Sequence, residues 1–207
     1  MRRINRLLGG RSALRRHLLP RLLDAGRRRV RVVDLGCGGG DLAEYICRWA
    51  ERRGARLQVT GVDSDERHLE LARQANRRPE VSFVRAEAER LPFGEGEVDF
   101  LYSTLLMHHL DPPAARRVLA EAARVTRGAV VMNDLVRDRI PLAFYRLVRR
   151  VLAREEITRR DGAASIRRAY TPEEARRLLV DAGFEQAQVF AHYPAYRWTA
   201  VINRKAQ

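Results

Sequence analysis

Lysine is almost absent from this chain: Lys205 stands alone among 40 lysines and arginines. Against 26 acidic residues this leaves a formal net charge of +14, carried almost wholly by arginine. Cysteine is scarce too. Cys37 and Cys47 are the two in 207 residues, too few for a disulfide framework, and both read as reduced thiols. No apolar run approaches the roughly 20 residues that span a bilayer. The basic first twenty residues have no continuous apolar stretch and no small-residue cleavage site, which excludes a secretory signal peptide. Being Arg-rich and free of acid, they stay compatible with a mitochondrial-type presequence. There is no internal repeat and no linker, so the 207 residues read as one domain, cytoplasmic in its cysteine usage. The arginines occur in every segment, which favours a solvated surface over a dedicated polyanion site.

Short apolar runs alternate with helical patterns. Val30 to Leu35, Leu57 to Val62, Val81 to Ala86, Val98 to Thr104 and Ala129 to Met132 read as strands. Leu42, Ile46 and Trp49, then Leu69, Ala72 and Ala75, then Ala115, Val118, Leu119, Ala122 and Val125 recur at helical spacing. Asp41 and Glu44 have the spacing of a capping box. Such alternation predicts a parallel sheet with helices on both faces. Later the pattern changes. Phe144, Leu147, Val148, Val151 and Leu152 predict an apolar helical face, and residues 154–170 read as a polar loop over the site. Thr171-Pro172-Glu173-Glu174 starts a helix. Two last strands, near Ala187 to His192 and Arg197 to Asn203, are joined too closely for a crossover and are therefore antiparallel neighbours.

The densest signal is Val32-Val33-Asp34-Leu35-Gly36-Cys37-Gly38-Gly39-Gly40-Asp41. A glycine loop between a strand and a helix start holds an anion or the polar end of a cofactor. A dinucleotide fingerprint begun at Gly36 would need its third glycine at position 41, where Asp41 would face a pyrophosphate. No Gly-Lys-Ser/Thr follows either, so a P-loop is excluded. The loop suits a cofactor without phosphates. Asp63, ending the second strand, is placed to accept hydrogen bonds from ribose hydroxyls. Glu87, after the third, is placed to accept from an adenine amino group.

Asp34-x-Gly36-x-Gly38-x-Gly40, the strand-ending Asp63, "AEAERLPF" and "VDFLYSTLLMHHLDP" resemble the class I S-adenosylmethionine-dependent methyltransferases. Within that class they are similar to the small-molecule group that includes ubiquinone and menaquinone biosynthesis methyltransferases. The resemblance covers about residues 28 to 135. It implies an α/β, Rossmann-like, doubly wound sheet of seven strands, mostly parallel with an antiparallel last strand. It also implies S-adenosyl-L-methionine as cofactor and S-adenosyl-L-homocysteine as product. Asp34, Gly36 and Gly38 would hold the methionine end, Asp63 the ribose, and Ser64 would lie beside the adenine. Glu87 (where an aspartate is more usual) and Ala88 would meet the adenine edge, with Ser103 near the methionine amino group. No metal ligand belongs to this set. Residues 28–135 are then the cofactor core, 136–207 the acceptor side, and 1–27 a helical lid or a membrane-surface helix.

A hydroxyl acceptor must lose its proton, and histidine suits that near neutral pH. His109 matches the family's histidine position after strand four and is the first candidate base, with His108 beside it. His192 and Asp134 are weaker candidates. Arg137 and the arginines of "SIRRAY" are placed to bind an acceptor carboxylate. Asp111-Pro112-Pro113 imitates the motif of amino-directed nucleic-acid methyltransferases, but it comes after the histidines and Ala114 stands where an aromatic is needed. It reads as a helix start. The expected partner is a small molecule, aromatic or lipid-like, with no specific nucleic acid. The rival classes are a nucleic-acid methyltransferase and a cofactor-binding protein without turnover.

Overall fold

A computed structural model describes residues 10–24, 29–143 and 156–203. Seven strands form one sheet: β1 (Val30–Leu35), β2 (Leu57–Asp63), β3 (Val81–Arg85), β4 (Val98–Thr104), β5 (Thr126–Leu135), β6 (Gln188–His192) and β7 (Arg197–Asn203). Their order is β3-β2-β1-β4-β5-β7-β6. β1 pairs in parallel with β2 and β4, and β5 continues the parallel set beside β4. β7 runs antiparallel to both β5 and β6. The order therefore reverses beside β1, and the carboxyl ends of β1, β2 and β4 open on one crevice, where doubly wound sheets bind ligands.

Every residue of β4 is buried, as expected of a central strand covered on both faces. One face carries Val33, Leu101, Val130, Met132 and Trp198 against α5 (Pro112–Val125) and α7 (Pro172–Asp181). The other carries Val32, Val59, Tyr102, Val131 and Val201 against α3 (Asp41–Glu51) and the N-terminal helices. Those helices are α1 (Gly10–His17) and α2 (Leu19–Asp24). Leu14, Leu18, Leu19 and Leu22 are each 1% exposed or less. At about 1.5–3 kcal/mol for each such burial, residues 10–24 are part of the core. The chain breaks between α1 and α2 at Leu18, where Pro20 has no N–H to continue the ladder. Among the described residues no helix is long and apolar enough to cross a membrane.

Three local expectations change. The polar loop expected over 154–170 is replaced, from Glu156 on, by a helix, α6 (Glu156–Arg168). Its alanines are strong helix formers without an apolar stripe, so periodicity misses them. Asp41 and Glu44 make no capping box. Gly40 occupies the cap with φ 69° and offers no side chain, Asp41 is the first helical residue, and Glu44 pairs with Arg48 at 2.8 Å. β5 begins earlier than expected, at Thr126, because Gly128 lets its backbone pass Asp99. A Cβ there would lie 2.5 Å from the Asp99 carbonyl oxygen. The predicted face of Phe144, Leu147, Val148, Val151 and Leu152 lies outside the described residues. The Thr171 capping box forms, with Thr171 Oγ1 accepting from Glu174 N and Glu174 Oε2 accepting from Thr171 N.

Candidate functional site

The glycine loop is held by backbone bonds. Gly36 N and Cys37 N both donate to the Val62 carbonyl, at 2.8 and 3.0 Å, so β2 anchors the turn that leaves β1. Gly38 N donates to Asp63 Oδ2 at 2.9 Å, while Asp63 Oδ1 accepts from Asp65 N at 3.0 Å. Asp63 thus braces the loop and the start of α4 (Glu66–Ala75), whose cap is Asp65. Gly40 is irreplaceable for two reasons: its φ is 69°, and a Cβ would stand 2.8 Å from the Phe83 ring. A Cβ at Gly38 or Gly39 would meet nothing within 4 Å. The loop's tip faces open space.

Asp34 lies beneath it, 2% exposed, with Oδ2 lacking any hydrogen bond. Burial raises its carboxyl to about 7, and the charges of Asp41 and Asp63 add to the rise. The Tyr102 hydroxyl, on the paired position of β4, counters part of it without a well-formed hydrogen bond. Tyr102 is pushed well above its ordinary range, by burial first and then by Asp34. A buried carboxyl so placed favours a cation beside it. Cys37 is buried in the same turn, and its thiol is pushed far up by burial and by Asp34, which keeps it inert.

Glu87 is exposed after β3, and Ala88 packs partly against the core. Ser64 follows Asp63, its carbonyl accepting from Arg85 Nε at 3.1 Å. Ser103 is buried and donates to the Leu35 carbonyl at 2.8 Å, tying β4 to the root of the loop.

Beyond β4, Leu105 adopts a left-handed φ of 64°. A residue with a side chain pays roughly 1–2 kcal/mol for that conformation. The turn lays Leu106 over the loop: a Cβ on Gly36 would lie 3.4 Å from Leu106 Cδ1. A 3₁₀ turn, Met107–His109, follows. Buried His108 lies with Nδ1 2.7 Å from Asp134 Oδ1, and its backbone N donates to Asp134 Oδ2 at 3.0 Å. Asp134 Oδ1 also accepts from Leu135 N at 2.6 Å. The Asp134 carboxylate can only accept, so Nδ1 is the imidazole's donor to it and Nε2 is left as the acceptor nitrogen. His109 is exposed, its ring centroid 4.1 Å from that of His108. His192 sits apart, at the end of β6, with Nε2 3.0 Å from Thr199 Oγ1 and Nδ1 3.3 Å from Arg16.

Both adjacent histidines line an open cavity of about 590 Å³ that also takes in Leu110, Arg116, Arg137 and Tyr170. No residue of the glycine loop and none of α1 or α2 lines it. Asp111 caps α5, accepting from Ala114 N at 2.8 Å, with Pro112 in the first turn. The Asp-Pro-Pro triplet is a helix start.

A family model described as a methyltransferase domain matches residues 32–128. The matched stretch is a methyltransferase domain of the S-adenosylmethionine-dependent kind. S-adenosylmethionine is the cofactor that goes with it. The domain is similar to the phthiotriol/phenolphthiotriol dimycocerosates methyltransferase of Mycobacterium tuberculosis, 33% identical over 54% of this chain and 38% of that one. It is also similar to the demethylmenaquinone methyltransferase of Thermotoga maritima, 30% identical over 64% of this chain and 56% of the relative. The chain thus spans about half the length of the curated relatives it matches. Among solved structures, the magnesium protoporphyrin IX methyltransferase of Synechocystis with bound S-adenosylhomocysteine superposes with a TM-score of 0.64. It is 16% identical over 97% of this chain and 85% of that one, a likeness of fold.

Two features of the candidate site are not visible in the sequence. Tyr102 faces Asp34 because β1 and β4 are neighbours in register, a pairing that needs the strand order. Asp134, a weaker base candidate in the sequence, bonds both the ring and the backbone N of His108.

Proposed function

We propose that the protein methylates a hydroxyl or phenol oxygen of a small molecule with an aromatic or lipid-like body. The observation that carries this reading is the His108–Asp134 pair, two residues beyond the Leu106 that closes over Gly36. In this reading the pair is the oriented proton acceptor on the far side of the turn that leaves β4.

The residues fit the cofactor. Asp34 has an unpaired, buried carboxylate oxygen, and the methionine end of S-adenosylmethionine carries an ammonium group near its sulfonium. Asp34, Gly36 and Gly38 would hold that end, with Ser103 beside it. Asp63 Oδ1 meets both Asp65 N and His68 Nδ1, so Oδ2, beside its bond to Gly38 N, keeps the lone pair that a ribose hydroxyl would use. Ser64, Glu87 and Ala88 would flank the adenine. When bound, S-adenosylmethionine supplies an electrophilic methyl and leaves as S-adenosylhomocysteine.

The chain's part in the chemistry is positioning and one proton. Holding donor and acceptor in line is worth about 7–11 kcal/mol of barrier in favourable cases. Asp134 keeps the proton of His108 on Nδ1, so Nε2 takes the proton of the acceptor hydroxyl as the new O–C bond forms. His109, more exposed, borders the acceptor. Relatives whose names carry demethylmenaquinone and phthiotriol substrates support a small, lipid-like acceptor. Incubation with methyl-¹³C-labelled S-adenosylmethionine and a panel of phenols, catechols and quinols tests the reading. The expected label sits on oxygen. Label found on carbon or nitrogen, or on RNA alone, contradicts it.

A further inference from the structure

The cavity beyond His108 carries more charge than a hydroxyl acceptor alone requires. Four arginines line it, Arg116, Arg137, Arg168 and Arg177, against the carboxylates of Asp111, Glu174 and Asp181. Two of those carboxylates are already engaged. Glu174 takes the Arg137 guanidinium on one oxygen and Thr171 N on the other. Asp111 caps α5. Among the described residues Arg116, Arg168 and Arg177 form no ion pair, although arginines elsewhere in the domain do: Arg48 with Glu44, Arg78 with Glu51 and Glu80, Arg124 with Glu121. Asp181 is the remaining acid. The lining has one net positive charge.

The walls are pre-formed. Tyr170 donates its hydroxyl to the Leu110 carbonyl at 2.8 Å, and Arg137 N donates to the Tyr170 carbonyl at 3.2 Å. The histidine turn, the end of β5 and the segment between α6 and α7 are therefore tied together around the space. Leu110, Pro112 and Leu178 give the cavity apolar surface between its charges. Its volume, about 590 Å³, falls within the range of small-molecule pockets. A guanidinium matches a carboxylate with two parallel bonds, which orients the ligand as well as attracting it.

We propose that this cavity is the acceptor pocket and that it recognises a carboxylate on the acceptor, through Arg168 and Arg177 with Arg116 alongside, while the acceptor's hydroxyl lies at His108. This deepens the reading of the same site given above and rests on it. The acceptor class is then a hydroxy acid with an apolar body.

Three matched probes test it: 4-hydroxybenzoate, its methyl ester and 4-hydroxyphenyl phosphate, each titrated with and without saturating S-adenosylhomocysteine at near-physiological salt by ligand-observed NMR. The carboxylate should bind about ten-fold more tightly than the ester, and more tightly than 4-hydroxyphenyl phosphate. The preference over the ester should vanish in an Arg168→Ala/Arg177→Ala variant. It should persist in Arg52→Ala/Arg77→Ala, which loses the same charge from exposed positions elsewhere. Equal binding of carboxylate and ester by the wild type overturns the inference. So does a preference that both double variants lose alike, which would be an effect of net charge. 4-Hydroxyphenyl phosphate winning over the carboxylate overturns the choice of ligand. Where S-adenosylhomocysteine binds and the ester matches the carboxylate, only this inference fails. Where S-adenosylhomocysteine itself does not bind, the underlying reading fails with it.

Discussion

At Gly36–Gly40 the backbone prepares the site for a ligand, while beyond His108 the cavity is walled by side chains from four separate segments. The first region tolerates few residue types. Gly40 packs where a Cβ would strike Phe83, Gly38 N–H is fixed by Asp63, and buried Asp34 is raised to about 7 by its surroundings. The second is built of exposed arginines, a capping aspartate and a tyrosine, residue types found all over the surface. Rigid backbone geometry suits a cofactor that every turnover shares. Replaceable side chains suit an acceptor that distinguishes one family member from another. The two regions meet at Leu105–His108, where a left-handed residue turns the chain from one into the other.

If the regions divide cofactor binding from proton transfer, their variants should separate cleanly. The largest effect is expected at His108. His108→Ala should lower kcat by roughly 10²–10⁴ and leave S-adenosylhomocysteine affinity unchanged, as single-turnover kinetics and calorimetry would report. His109→Ala should cost far less. Should His109→Ala prove the severe variant and His108→Ala the mild one, the exposed histidine is the base, and Asp134 merely packs.

Asp34→Asn comes next and breaks the other region. Losing one or two bonds to a charged group, at about 1.5–3 kcal/mol each, should weaken S-adenosylhomocysteine by at least ten-fold. The same variant has a stability signature of opposite sign. The folded Asp34 carboxyl is raised from 3.8 to about 7. Its contribution is therefore fully present below pH 3.8 and is lost as pH rises through 7, a difference of roughly 4 kcal/mol. Without cofactor, Asp34→Asn should be the more stable protein at pH 8, and the gap should close at pH 4. In the wild type, affinity for S-adenosylhomocysteine should rise from pH 6 to pH 8, because a cation prefers the ionised carboxylate. Denaturant titrations at the two pH values check the first statement and calorimetry the second.

The glycines sharpen the comparison within the loop. Gly40→Ala should lower the melting temperature, since strain and a 2.8 Å contact both fall on the fold. Gly38→Ala has room around it and should cost only the roughly 1–2 kcal/mol of its positive φ, while hurting cofactor affinity by filling the open tip. Thr171→Ala, the smallest effect, should remove about 1 kcal/mol of stability through the lost cap. It should leave cofactor affinity unchanged, because α7 borders only the second region.

The sheet was legible because strands and helices alternate with clear periods, and because a short link such as Tyr193–Tyr196 forces β6 and β7 to be neighbours. The loop was legible because Gly36, Gly38 and Gly40 each take a positive φ, which glycine adopts freely. Helix α6 was not, since Ala163 and Ala164 favour a helix without marking a buried face. The mistaken box at Asp41 came from a spacing that Gly40 pre-empts. His108 and His109 are adjacent in sequence and equal in type. Only the fold, by bringing Asp134 from the end of β5 to His108, distinguishes them.

The most direct test of this account is a calorimetric titration of S-adenosylhomocysteine into wild type and Asp34→Asn at pH 8, repeated in the presence of NAD. The account predicts one-site binding by the wild type, at least ten-fold weaker binding by the variant, and no competition from NAD. Wild type and variant binding alike, or NAD displacing the nucleoside, would contradict the assignment of Asp34 and its glycine loop as the cofactor site.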